Sequence, residues 1–243
     1  MIAKAIEKII EIARPNIIGI GTMKFTDKKL ERIPEAVRGE PIKVQTLSAL
    51  ITYVEKIMEQ ADCASKDAYF IHVVGPTEVR LLSKLDYDRK RECLMVAEPQ
   101  LPRIPFEQFV DTEKMIIILQ STFMRDAETD LDTVKKFVGT ATAGTIKDYS
   151  DDGVSQMATV TSGARGKENK LVPSPCILRP IRTFIEVEQP ASDFIFRLRT
   201  GAEDKVLAGL FEADGGAWKI TAMSNIVKYL RETLKDTGVE IIG

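Results

Sequence analysis

The side chains with most capacity for chemistry in this chain are basic, and they cluster. Between Ser162 and Arg199 stand Arg165, Lys167, Lys170, Arg179, Arg182, Arg197 and Arg199, against Glu168, Glu186, Glu188 and Asp193. Seven positive charges face four negative ones there, although the 243 residues as a whole carry a net charge of −2. Arg165, Lys167, Lys170, Arg182, Arg197 and Arg199, with Phe184 among them, could neutralise phosphates and stack the bases of a single-stranded nucleic acid. A competing reading is a solvated ladder in which Glu186 and Glu188 neutralise the arginines, since an excess of +3 covers only a few phosphates. The near-zero total charge argues against a dedicated polyanion binder. A third reading takes Phe184 and Ile195, apolar residues on an otherwise charged face, as a contact with a second protomer.

Catalytic templates fail one by one. His72 is the only histidine; it lies between Ile71 and Val73 in strand-like sequence, without the partners a general base needs. No GxSxG nucleophile elbow occurs. Ser162–Lys167 is superficially like a phosphate loop, but Thr161 and Glu168 occupy the positions where that loop requires Gly and Ser/Thr. Asp148, Ser150, Asp152 and Gly153 match the start of a calcium loop, yet Thr159 replaces its closing acid, so a hairpin turn is the better reading. Cys63, Cys93 and Cys176 are widely spaced and outline neither a zinc site nor a disulfide framework. The expectation is a protein that is not an enzyme and holds no cofactor or metal.

The elements that must position these residues follow from periodicity. Ile2, Ile6, Ile9, Ile10 and Ala13 share one face of an opening helix that Pro15 ends; Ile2, Ile6 and Ile9 are candidate protomer contacts. A strand at Ile17–Ile20 and an irregular connector lead to Pro41. Ile42–Gln45 is strand-like, and Thr46 caps a helix burying Leu47, Leu50, Ile51, Val54, Met58 and Ala61. Ala68–Val74 and Glu78–Leu85 form a hairpin around Gly75-Pro76, and Glu92–Ala97 a third strand. Phe106, Phe109 and Val110 suit a short helix. Met115–Leu119 fits a buried helix or strand; helix is preferred because Asp130–Val138, capped by Asp130, continues a helical region.

Beyond Gly139 the pattern turns to β. Thr140–Lys147 and Val154–Ser162 flank the turn signal Asp151-Asp152-Gly153, and Ser162–Lys170 reads as a mobile connector. Ile181–Glu188 and Asp193–Arg199 both alternate. A four-residue loop would pair Glu188 with Asp193, Glu186 with Ile195, Phe184 with Arg197 and Arg182 with Arg199. Val206–Glu212 and Ala217–Ala222 form a further hairpin around Asp214-Gly215-Gly216. Ser224 then caps a closing helix that buries Val227, Leu230 and Leu234, and Gly238 ends it before a last strand. The order describes an α+β protein: an α/β region over 1–138 and a mostly antiparallel β-rich region with one helix over 139–243, or one continuous domain, with the boundary near Gly139–Gly144.

Charged residues among the first isoleucines do not suit a signal peptide. The longest strictly apolar run, as at Met115–Leu119, is far short of the roughly 20 residues of a membrane span. A soluble, cytoplasmic protein without a membrane partner is expected.

Three blocks carry a resemblance: Gly144–Val154 (GTIKDYSDDGV), Leu178–Pro190 (LRPIRTFIEVEQP) and Leu210–Trp218 (LFEADGGAW). They resemble the YfdQ-like family of phage and prophage proteins, a domain of unknown function. Ile42–Val54 and Phe106–Asp111 agree more loosely, so the likeness covers roughly residues 40–243. It implies a phage-encoded protein in the host cytoplasm whose gene accompanies early DNA-metabolism genes, and it brings no catalytic residues. The expectation drawn from residues and resemblance together is a non-enzymatic homo-oligomer; the alternative is a single-strand nucleic-acid binding or annealing accessory.

Overall fold

The computed structural model describes residues 2–20, 23–28, 39–60, 68–86, 89–143, 145–151, 156–161, 167–202 and 205–243. The chain is α+β and forms two compact units, 1–38 and 39–243. That division falls after Arg38, whereas residues 139–143, in the expected boundary region, lie in a helix.

The first unit holds helix α1 (Ile2–Ala13) and a hairpin of β1 (Ile17–Ile20) and β2 (Met23–Thr26), paired Ile17 to Thr26. The Asp27 carboxylate closes the hairpin by accepting the Asn16 backbone N–H (2.8 Å) and side-chain amide (2.9 Å). The Lys28 ammonium donates to the Ile12 carbonyl and ties hairpin to helix. Every residue of α1 is exposed.

The second unit is built on two cores. The first covers a five-stranded sheet in the order β14-β4-β5-β6-β3. Its members are β3 (Ile42–Val44), β4 (Tyr69–Gly75), β5 (Glu78–Ser83), β6 (Cys93–Ala97) and β14 (Glu240–Ile242). The expected hairpin is β4–β5, and β3 and β14 add parallel edges. Helices α2 (Leu47–Gln60) and α5 (Trp218–Thr233) pack on this sheet and on each other, burying Leu47, Leu50, Ile51 and Val54 with Ile226, Val227 and Leu230. Thr46 caps α2 as expected, its hydroxyl accepting the Ala49 N–H at 3.2 Å. Because β14 and α5 complete a core begun at residue 42, the two halves of the sequence are not two halves of the fold.

The second core lies under an antiparallel sheet in the order β11-β12-β13-β7. These strands are β7 (Phe109–Asp111), β11 (Cys176–Leu178), β12 (Ser192–Thr200) and β13 (Val206–Glu212). Helices α3 (Thr112–Ser121) and α4 (Leu131–Ala143) cover one face with Met115, Ile118, Leu119, Val134 and Val138. A third sheet joins β8 (Thr145–Asp151), β9 (Gln156–Thr161) and β10 (Lys167–Leu171). The Gln156 carboxamide exchanges two 2.9 Å hydrogen bonds with the Leu198 backbone and so serves as a short pairing partner for β12.

Several expected elements are corrected. Residues 140–143 end α4 instead of opening a strand. Part of the expected mobile connector is strand β10, while 162–166 and the turn at 152–155 lie outside the described residues. Phe106–Val110 is not helical: Glu107 adopts φ 62°, which breaks a helix, and its N–H donates to the Leu210 carbonyl at 2.8 Å, leading into β7. Asp130 precedes α4, but its carboxylate accepts the Ile177 N–H (2.8 Å) and its own N–H donates to the Ile177 carbonyl (2.8 Å). It thereby closes the outer edge of β11, where an open edge would invite pairing with another chain.

Ala217–Ala222 is the start of α5, not a strand. Asp214, rather than Ser224, organises that start: its carboxylate accepts the N–H groups of Gly216 (2.9 Å) and Trp218 (3.1 Å), with Gly215 and Gly216 both at positive φ. Burial works against the Asp214 charge, but those amides, the Ser192 hydroxyl and Arg182 outweigh it and hold its pKa below the ordinary carboxylate value. A carboxylate whose folded pKa is depressed stabilises the fold above its unfolded pKa, and the contribution disappears as pH falls through the folded value. Asp214→Ala is therefore expected to cost about 1–2 kcal/mol near neutral pH. The gap from wild type should close as the solution is acidified below about pH 4, which denaturant titrations at several pH values would measure.

Candidate functional site

The 181–189 segment departs most from the sequence reading. It forms no strand; β12 pairs instead with β11 (Cys176 to Phe194) and β13 (Ile195 to Phe211). Phe184, expected on an outer face as a protomer contact, is 0% exposed inside the first core. Gln189 holds the loop inward. Its Oε1 accepts the N–H groups of Arg182 (2.9 Å) and Thr183 (3.2 Å), and its Nε2 donates to the carbonyls of Phe184 (2.8 Å) and Val187 (3.2 Å).

Arg182, expected to contact nucleic acid, is 6% exposed. Its guanidinium pairs with Glu212 at 2.5 Å, donates to the Ser192 hydroxyl and lies 4.1 Å over the Trp218 ring. Burial pushes its pKa down, opposed by the adjacent Glu212 charge. A buried, neutralised guanidinium of this kind fastens α5 to β12 and β13 and cannot reach a phosphate. A cavity of ≈ 370 Å³ lies beside it, lined among others by Phe106, Trp218 and Lys219. A second, of ≈ 410 Å³, shares the walls Leu101, Pro102 and Ile181.

Arg165 lies outside the described residues, and Lys167 and Lys170 sit in β10. Arg197 and Arg199 are brought together with two residues that sequence reasoning missed. On the uncovered face of the four-stranded sheet the register sets Ile195 beside Phe211, Arg197 beside Gly209 and Phe109, and Arg199 beside Leu207 and Asp111. The Phe109 and Phe211 rings meet edge to face at 5.5 Å. Both crowd over Gly209, where an added Cβ would stand 3.1–3.3 Å from their carbons. The Arg199 guanidinium lies 4.5 Å over the Phe109 ring. Asp111 is occupied at the start of α3, accepting the Glu113 N–H at 2.8 Å. This face is exposed or half-buried throughout, except at Gly209. Phe211 was hidden because Val206–Phe211 is a continuous apolar run that assigns no face, and Phe109 because its three-residue strand has no period of its own.

A second exposed apolar surface among the described residues is α1. Ile2, Ile6 and Ile9, expected as protomer contacts, are 78%, 52% and 65% exposed, and Ile10 and Ile12 are exposed beside them.

His72 sits cross-strand from Arg80, which is ion-paired with Glu78. Burial pushes the Cys176 thiol up to about 12, where it is inert as a nucleophile near neutral pH. No group of three His, Cys, Asp or Glu among the described residues could hold a metal ion. No described helix is long and apolar enough to cross a membrane. The chain matches no family model, no curated protein and no solved structure.

Proposed function

We propose that this chain is a non-enzymatic protein that assembles with copies of itself through its N-terminal helix, in the phage setting suggested by the YfdQ-like resemblance. The observation that carries the reading is the exposed isoleucine face of α1. Burying one such side chain contributes about 1.5–3 kcal/mol, and a contiguous exposed apolar stripe marks an association surface.

The partner best suited to this stripe is another α1. Ile2, Ile6, Ile9 and Ala13 are spaced four, three and four residues apart, the a/d seam of a coiled coil, and isoleucine at both positions favours more than two strands. Ala3, Ala5, Ile10 and Ile12 widen the stripe on either side, so a two-helix pair would leave Ile10 and Ile12 uncovered. Polar residues stay on the remaining arc, where the Lys8 ammonium and Glu11 carboxylate pair at 2.8 Å. Twelve residues are too few for a stable isolated helix in water, which fits a helix that gains its stability on association.

Light scattering on the full chain is expected to give a mass of three or more protomers. The double substitution Ile6→Asp/Ile9→Asp is expected to give a monomer that loses the helical circular dichroism of α1 but still unfolds cooperatively. A wild-type monomer at all concentrations would overturn the proposal, as would a variant that keeps its mass. Flotation of a monomer with lipid vesicles would assign α1 to a membrane surface instead.

A further inference from the structure

We infer that the uncovered face of the four-stranded sheet binds single-stranded nucleic acid, with Arg197, Arg199, Phe109 and Phe211 as the contact residues. This is independent of self-assembly, because none of these residues belongs to α1. The face combines the two groups such binding needs: aromatic surface for bases and guanidinium groups for phosphates. Its basic end is set by the register, which places Arg197 and Arg199 two residues apart on one strand and therefore on one face. Side chains so placed stand about 7 Å apart, comparable to the phosphate spacing of an extended single strand.

The stack at that end is already layered. The Arg199 guanidinium carbon sits 4.5 Å from the Phe109 centroid, and a guanidinium over an aromatic ring can meet a base with its plane and a phosphate with its edge N–H groups. Phe211 stands beside Phe109 and next to Ile195, a second half-exposed ring for the neighbouring base. Gly209 helps, since an added Cβ would stand 3.1–3.3 Å from the two rings and push them aside by a few tenths of an ångström. Asp111, the nearest carboxylate in the Arg199 row, is spent on the α3 N-terminus and opposes the phosphates less. Duplex DNA would hide the base faces that Phe211 and Arg199 meet, so single strands are favoured.

The experiment is fluorescence anisotropy of a labelled oligo-dT of about 15 nucleotides, titrated with the full chain at several salt concentrations. One phosphate neutralised by Arg199 predicts a slope of log K against log salt near −0.7. Arg199→Ala should weaken binding and reduce that slope by about 0.7. Phe211→Ala should weaken binding about tenfold and leave the slope unchanged. Thermal melts confirm that each variant is folded, and Arg199→Ala, on the surface, keeps the test decisive if Phe211→Ala is not. Ile6→Asp/Ile9→Asp should retain the salt slope per protomer, so that loss of assembly and loss of binding are read separately. No anisotropy change at low salt would overturn the inference, as would binding by both variants as tight as that of the wild type. A shift in oligomeric mass caused by Arg199→Ala without oligonucleotide binding would also overturn it, and would make the face a protomer contact.

Discussion

Gln189→Met is expected to lower the stability of the protein by about 3–5 kcal/mol, read from the midpoint of denaturant unfolding. The substitution conserves volume and removes every polar atom of the side chain. The N–H groups of Arg182 and Thr183 and the Val187 carbonyl then lose the Gln189 carboxamide, and the Phe184 carbonyl keeps only the Val187 N–H at 3.3 Å, in a segment where Phe184, Thr183 and Gln189 itself are buried. Each buried group left unpaired costs about 1–3 kcal/mol, and relaxation of the loop keeps the total below the simple sum. Ile185→Ala, at an exposed position of the same loop, should change stability by less than about 0.5 kcal/mol. A loss under about 1 kcal/mol for Gln189→Met would mean that the loop finds other partners and that its carboxamide does not organise it.

That loop also shows why part of the fold was illegible. Ile181–Glu188 alternates as a strand does, and its alternation agrees with that of Asp193–Arg199. Periodicity assigns faces to a segment but not a pairing partner. The partner of β12 on that side is Cys176–Leu178, a run too short to display a period, which sends Cys176 and Leu178 into the second core. Pairing with 181–188 would leave Phe184 on the outer face. The chain instead buries it, with Gln189 supplying locally the hydrogen bonds a sheet would have provided.

Asp214-Gly215-Gly216 misled for a related reason. A turn signal of this composition serves a hairpin and a helix start equally well, and Trp218, Ile220 and Ala222 alternate as a strand would. What decides is the next turn: Ala222, Ile226, Val227 and Leu230 continue at helical spacing into the core, whereas Ile220 is exposed. The outward residues of β12 were legible because their alternation is intact, with Phe194, Phe196 and Leu198 buried and Ile195 and Arg199 exposed. The position of Arg182 was not, because its burial depends on Glu212, Ser192 and Trp218, which only the tertiary fold brings to it.

Arg182→Met is expected to cost about 3 kcal/mol, and adding Glu212→Met is expected to recover most of that loss. Removing one partner of a buried ion pair leaves the other charge uncompensated, which typically costs 3–5 kcal/mol. The lower end applies here because the Glu212 side chain keeps 29% of its exposure and part of its hydration. Stacking on Trp218 is also lost, a contact worth up to about 2 kcal/mol when desolvated, though the methionine thioether replaces some of it. Replacing both charges removes the desolvation penalty along with the attraction, so the double variant should come within about 1 kcal/mol of wild type. Trp218 is the only tryptophan in the chain and lies 4.1 Å from the guanidinium carbon, so its emission reports the site directly. The single variant should alter that emission before any global unfolding. If Arg182 were instead a solvated nucleic-acid contact, as its sequence neighbours suggest, Arg182→Met would leave both stability and tryptophan emission unchanged and would weaken oligonucleotide binding alone.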